Sequence, residues 1–389
     1  MTIQKPVRLS DVCRQDRTSV KAGQRAELAY MGLESIESNT GRFNEAGLSK
    51  TPEVPLANSF RFGPEHVLYG KLRPYLNKVA LAEFEGKCST EIIPLLPSPD
   101  LDRRFLAYFL RSPSTVSRIS EKAAGARMPR ADMDFIFSLE LVLPSLTEQR
   151  RIVDLLSRAE GIVRLRRDAQ KKAAELIPAI FVNIFGDPAM NPKWWPVYEL
   201  GELLAAPPTL GTMAKPSTSE ADWLDLRVAN IQGGLLTLGD RKWLDLPPEQ
   251  IDRFSLKAGD IVLARAIGSL DHLGKAVVVH PTSNWTFDSH LMRIRLDAKR
   301  ILPDWLVAFL ASAGGRAEFL KHTRHSAVQF NINGKEIRRL RIPLPPLGLQ
   351  QQFYRRSEDI CSITNQQTTA TARALATFNA LLANAFVES

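Results

Sequence analysis

The feature that most constrains this 389-residue chain is that it repeats itself. FLAYFLRS from Phe105 to Ser112 returns as WLVAFLAS from Trp305 to Ser312, and LPSLTEQ from Leu143 to Gln149 returns as LPPLGLQ from Leu344 to Gln350, at offsets of 200 and 201. Asn183 and Phe185 return as Asn384 and Phe386, again at 201. Earlier segments match more loosely. YMGLESI (Tyr30–Ile36) resembles WLDLRVANI (Trp223–Ile231), and HVLYGK (His66–Lys71) resembles DIVLAR (Asp260–Arg265), at offsets of 195 and 194. Two copies of one supersecondary plan, in the same order, predict a pseudo-twofold internal repeat.

Each copy begins with many Gly, Pro and short apolar runs, such as Ile92–Leu96 and Ala276–Val279, which read as strands between turns. Short helical patterns interrupt them at Phe105–Leu110 and Trp305–Ala311. A long helix follows each globule. In the first, Gln149, Ile152, Leu156, Ala159, Val163, Arg166, Gln170, Ala173, Ile177, Ile180 and Ile184 form a seam at spacings of three and four. Leu155, Ile162, Ala169 and Leu176 form a second row beside it, and Pro178 predicts a kink or break. The second helix, through Phe353, Ile360, Thr364, Thr371, Phe378 and Leu381, is apolar at its ends and polar in its middle. If the helices pair along their length, the connectivity makes them antiparallel, and residues 148–184 span roughly 55 Å. The expected fold is mixed α/β (α+β): globules 1–143 and 189–343, separated by an antiparallel two-helix coiled-coil spacer, 144–188 and 344–389. Leu146, Ile152, Leu156, Val163, Ile177, Ile180, Ile184, Phe353, Ile360, Phe378 and Leu381 are its expected interface residues.

Charge points to the kind of partner. Fifty-one Lys and Arg against forty-two Asp and Glu give +9, spread along the chain rather than gathered in a tail, which favours a polyanion. Three separated cysteines exclude a disulfide framework and a C-x-x-C pair, so a reducing cytoplasm is the expected compartment. No apolar h-region follows Met1 and no uncharged run reaches the roughly 18 residues of a membrane span, so neither export nor a membrane is expected.

With these segments in place, the chain resembles the specificity subunits of type I restriction–modification systems along essentially its whole length. The LPxLxxQ segments carry the resemblance, with IFGDP (Ile184–Pro188) closing the first helix. Asn191-Pro192-Lys193-Trp194-Trp195-Pro196, followed by Leu200-Gly201-Glu202-Leu203, looks like the family's entry to a second target-recognition domain. The resemblance implies two target-recognition domains, each reading half of an asymmetric bipartite site in double-stranded DNA. It also implies helices that space them and dock two modification (methyltransferase) subunits, with restriction/translocase subunits joining for cleavage. S-adenosylmethionine, ATP and magnesium would then reside on those partners, with no cofactor in this chain. LPPLGLQ departs from the family pattern, because Gly348 and Leu349 stand where an acidic pair is usual. Gly348 lowers local helix propensity by about 1 kcal/mol relative to Ala.

Motifs for chemistry of the chain's own are missing. Five residues separate Gly268 from Gly274, and Ala276 follows Lys275 where a phosphate loop needs Ser or Thr. Asn191-Pro192 is followed by Lys193, not by the second proline of an amino-methyltransferase pocket. His322 and His325 lack a nearby third metal ligand, and the Glu318/Lys321 spacing is wrong for a nuclease core with Asp304. A non-catalytic reader is therefore expected, against two alternatives: a protein-interaction scaffold with paralogous heads, and a stand-alone methyltransferase or nuclease.

A duplex reader needs cations for phosphates and planar or amide groups for base edges. In the first globule Lys71, Arg73, Tyr75, Asn77 and Lys78 fall in one turn-rich loop, and Arg127 and Arg130 flank Pro129. In the second, Arg265, Ser269, His272 and Lys275 occupy the matching loop, and Arg324, His325, Gln329, Asn331 and Asn333 match the other. Arg in the first head and Asn or Gln in the second suit guanine and adenine respectively. Arg164, Arg166, Arg167, Lys171 and Lys172 crowd the middle of the first helix, with Glu160–Arg164 and Asp168–Lys172 spaced for i,i+4 pairs. Cations left unpaired there are expected to meet the DNA spacer or an acidic modification subunit.

Overall fold

A computed structural model describes residues 6–21, 28–43, 48–49, 58–125, 127–232, 235–239, 241–325 and 329–386. The chain divides into two compact units, residues 1–168 with 369–389, and residues 169–368.

In the first unit, strand Pro6–Arg8 pairs antiparallel with Glu140–Val142, bringing the two ends of the globule together. A four-stranded antiparallel sheet runs in the order Cys13–Gln15, Ile92–Pro97, Val67–Gly70, Val79–Leu81. A second sheet places Ala29–Met31 parallel to Gly86–Ser89. Helices Arg103–Arg111, Pro113–Glu121 and Met133–Ser138 pack beside these, each entered through a side-chain cap: Asp102, Ser112 and Asp132 accept from the first-turn amides.

The second unit has corresponding pairings. Val197–Glu199 pairs with Arg341–Pro343. A four-stranded antiparallel sheet runs Leu204–Leu210, Leu291–Leu296, Ile261–Ala264, Ala276–Val278, and Trp223–Leu226 lies parallel to Trp285–Phe287. Helices Pro303–Ala311, Ala313–Lys321 and Gly334–Arg338 follow in the same order, the last two capped by Ser312 and Asn333.

Both long helices form, over Leu146–Phe185 and Leu347–Ala385. Neither break nor interruption occurs at Pro178, although its ring nitrogen has no hydrogen to give the preceding turn. Within the first unit, Val153, Leu156 and Val163 share a buried cluster with Phe378 and Leu382, while Ile152 and Leu381 pack on its edge. Within the second, Phe181 and Phe185 share a cluster with Phe353, and Ile177, Ile180 and Ile184 pack against it. Gln170 Nε2 donates to Thr368 Oγ1 at 2.9 Å, and the Phe185 and Phe353 rings lie 5.6 Å apart, so the helices run in opposite directions in that unit. Leu146 and Ile360 are half-buried. The second apolar row is not core: Leu155, Ile162 and Leu176 are about half exposed.

Two glutamines fix where each long helix starts. Gln149 accepts from the Asp102 amide at 2.8 Å and donates to the Asp100 and Pro144 carbonyls, both at 2.8 Å. Gln350 accepts from the Leu302 amide at 2.9 Å and donates to the Arg300 and Pro345 carbonyls at 3.2 and 2.8 Å. Both are fully buried, where an amide with all its capacity used is worth far more than one left unpaired. This is what the final Gln of LPxLxxQ does: it ties the long helix to the loop that opens the first short helix of the same unit, Arg103–Arg111 or Pro303–Ala311.

Candidate nucleic-acid interface

Strand Val67–Gly70 delivers the chain into a tight turn, Pro74–Leu76, flanked by Arg73 and Asn77, both left-handed at φ 52° and 49°. Such backbone at non-glycine residues persists only where surrounding contacts fix it. Here the Arg73 amide donates to Pro129 O at 2.7 Å, and the Ala131 amide donates to Lys71 O at 2.8 Å. Leu72 bridges Arg130, which also bridges Ala124. The two loops separated in sequence are therefore one surface.

The same construction occurs in the second unit. Ala266–Ile267 pairs with Phe330–Asn331, which pairs with Arg324–His325. The Ile332 amide donates to Arg265 O at 2.9 Å. Arg130 and Asn331 thus hold corresponding places, each between a residue of the loop after the sheet strand and one of the segment after the second short helix.

The side chains divide into two groups. Arg73, Arg127 and Tyr75 are exposed, as are His272 and Gln329, and Ser269 and Asn331 are half-buried. Others are engaged by neighbouring groups of the protein, whether part-buried like Asn77 and Lys78 or exposed like Arg130 and Arg324. Asn77 Nδ2 donates to Arg111 O at 3.3 Å, and Lys78 Nζ donates to Leu33 O at 2.6 Å, so both stabilise the turn rather than face outward. Arg130 makes a forked contact with Glu91, its Nη2 2.8 Å from Oε1, and Lys71 Nζ lies 4.0 Å from the same carboxylate. Those hydrogen bonds raise the Arg130 pKa above its ordinary value. Arg265 is lowered by burial; its Nη1 donates to Ser289 O at 3.1 Å. Lys275 Nζ lies 2.7 Å from His272 Nδ1, and Arg324 Nη2 donates to Glu336 at 3.0 Å. Asn333 spends its Oδ1 capping the helix behind it. The His325 side chain lies outside the described residues.

The histidine and carboxylate groupings are local side-chain contacts. His322 lies 3.5 Å from Glu318 and 3.6 Å from Glu336, and Glu318 receives Lys321 at 3.0 Å. No group of three metal-ligating side chains gathers among the described residues. Nor is any described helix long and apolar enough to cross a membrane.

One expected pair is replaced. Glu160 does not meet Arg164; it turns inward, accepting from Arg111 Nη2 at 2.5 Å and from Tyr108 Oη at 2.9 Å. Burial outweighs local spacing here, because the Arg111 side chain is 5% exposed and needs a nearby carboxylate. Sequence reasoning missed Arg111, Glu91 and Glu336 as organisers of the surface, since their partners are distant along the chain.

Comparison with known proteins agrees with this architecture. Residues 6–175 match the type I restriction modification DNA specificity domain. Over 372 residues the chain is 24% identical to the EcoKI specificity subunit of Escherichia coli K12, covering 89% of this chain and 79% of the relative. Over 369 residues it is 24% identical to the StySPI specificity subunit of Salmonella potsdam, with the same coverages. Two solved structures share the fold. One, from work on complex assembly and conformational transition of the type I restriction–modification system, has a TM-score of 0.58 at 19% identity, covering 97% of this chain and 96% of that one. The other, the S subunit of a type I system from M. genitalium, has a TM-score of 0.54 at 14% identity, covering 100% and 98%. Each of the two units carries a mixed α/β globule with a paired-loop surface and part of both long helices. The chain is similar, over most of its length, to specificity subunits of type I restriction–modification systems.

Proposed function

We propose that this chain is the DNA sequence-specificity subunit of a type I restriction–modification complex. Each head reads one half of an asymmetric bipartite site in double-stranded DNA. The single observation that carries this reading is the matched surface in each head, where two loops join through the Leu72–Arg130 and Ala266–Asn331 pairings and present basic and amide groups. Named relatives that are specificity subunits support it.

The heads are copies of one duplicated unit, domains 1–143 and 189–343, and the long helices pair as an antiparallel coiled-coil spacer. Supporting this are the corresponding strand orders, the Gln149 and Gln350 clasps, and the helix contacts within each unit. Two modification subunits dock on the helices, where Leu155, Ile162, Leu165, Leu176 and Val182 leave apolar side chains exposed. Restriction subunits complete the complex. The chain does no chemistry itself; methyl transfer from S-adenosylmethionine and the magnesium- and ATP-dependent steps belong to its partners, in the cytoplasm.

The test is a selection from randomised duplexes using the chain assembled with its modification subunits. Two unlike motifs at a constant gap are expected, with affinity falling steeply as salt rises because phosphate contacts release counterions. Salt-insensitive binding without a footprint would instead favour the protein-interaction scaffold.

A further inference from the structure

The turn that carries Arg73 and Tyr75 is tied to the first long helix by a chain of part-buried polar contacts centred on the buried Arg111. Asn77, which closes the turn in a left-handed conformation, donates from Nδ2 to Arg111 O at 3.3 Å. Its own carbonyl accepts from the Asn39 amide at 3.1 Å. Asn39 O in turn accepts from Arg111 Nη2 at 3.3 Å. The same guanidinium reaches Glu160 on the long helix and lies over the Tyr108 ring, 5.4 Å from its centroid, while Tyr108 also binds Glu160. Room for this is made at Gly41, whose φ is +70°, and where a Cβ would stand 2.6 Å from Arg111 Nη1.

The second head lacks these groups. At the places corresponding to Tyr108, Arg111 and Glu160 stand Ala308, Ala311 and Cys361. Its loop is held by a different arginine: Arg316, on helix Ala313–Lys321, donates to both Leu270 O and Leu273 O. That anchor belongs to the head alone and involves no long helix.

From this contrast we infer that Arg111 and Glu160 are a positioning pair that sets the first head's reading turn against the long helix. The second head sets its turn internally through Arg316. The inference rests on the DNA-reading function proposed above. Neither Arg111 nor Glu160 needs to touch DNA; Glu160 holds the Arg111 side chain, which holds the Asn39 carbonyl, and the Asn39 amide in turn holds the carbonyl of Asn77, which closes the turn.

The experiment is the same selection with the assembled complex, followed by affinity measurement on duplexes altered in one half-site at a time. Arg73→Ala assigns which half-site the first head reads. Glu160→Gln keeps the shape and removes the charge, and should weaken discrimination at that half-site by about tenfold while leaving the other unchanged. Arg111→Lys should fall between wild type and Arg111→Met. Arg316→Met should affect only the second half-site. Glu160→Gln behaving as wild type, or weakening both half-sites equally, overturns the positioning role even if Arg111→Met fails to fold. A wild-type complex that enriches no sequence overturns the reading function itself, which separates the two failures.

Discussion

The two units hold their long helices by unlike chemistry around a shared device. In the second unit the grip is aromatic: Phe181, Phe185, Trp305 and Phe353 pack with ring centroids 5.0 to 5.8 Å apart, and Trp305 stacks on Phe309 at 5.7 Å. The first unit has Phe386 against Phe105 and Phe109 at 5.0 and 5.7 Å, and adds the Glu160–Arg111–Tyr108 network. Common to both is the buried glutamine. The difference teaches that backbone capture is alike in the two units while packing chemistry is not, as expected if the clasp sets where a helix starts and the packing only has to fill space.

The largest effect should come from the aromatic side. Phe353→Ala empties a fully buried position and is expected to cost about 3–5 kcal/mol in denaturant unfolding. Its counterpart Ile152→Ala, on a partly buried side chain, should cost less. Equal losses would break the proposed asymmetry.

Next come the clasps. Gln149→Ala and Gln350→Ala each strand a buried amide and two carbonyls, and each should cost about 2–3 kcal/mol, read as separate unfolding of the affected unit. A tolerated substitution at one and a severe one at the other would show that the shared device is not equivalent.

A pH difference should also separate the heads. Burial, reinforced by the Asp288 charge and opposed by Arg227 at 3.6 Å, pushes the Asp225 pKa up to about 7. A carboxyl group raised in the folded state stabilises it fully below its unfolded pKa, and that stability is lost as pH rises through the folded value. The second head should therefore weaken from about pH 4 to pH 7, and Asp225→Asn should flatten that slope and raise the melting temperature at about pH 8. A pH profile unchanged by the substitution would refute the assignment.

The smallest effect concerns two helical glycines, at each of which an added methyl group would meet open space. Gly161→Ala, in mid-helix, should stabilise by about 0.5–1 kcal/mol, and Gly348→Ala, in the first turn, by less.

Much of the plan was legible because it repeats locally. Strands at Ile92–Pro97 and Ala276–Val278, and short helices over Arg103–Arg111 and Pro303–Ala311, lie where apolar runs and helical spacing predict them. The seam residues Leu156, Val163, Phe353 and Phe378 are buried as their spacing requires. What stayed hidden depends on partners far along the chain. Glu160 has an arginine four residues away, yet binds one 49 residues away, because only the folded globule reveals that Arg111 is buried. Gln149 looks like one more seam position, and its clasp to Asp100 and Asp102 is invisible without the tertiary contact. Lys78 and Asn77 read as surface groups from composition alone, although the turn uses them internally.

Head replacement tests the central claim most directly. A chain in which residues 6–143 also take the place of 197–343, assembled with its modification subunits, is put through the same selection for preferred duplexes. If the heads are mounted on antiparallel helices as proposed, that chain should select an inverted repeat of the first half-site. Retention of the original asymmetric site by that chain would contradict the account.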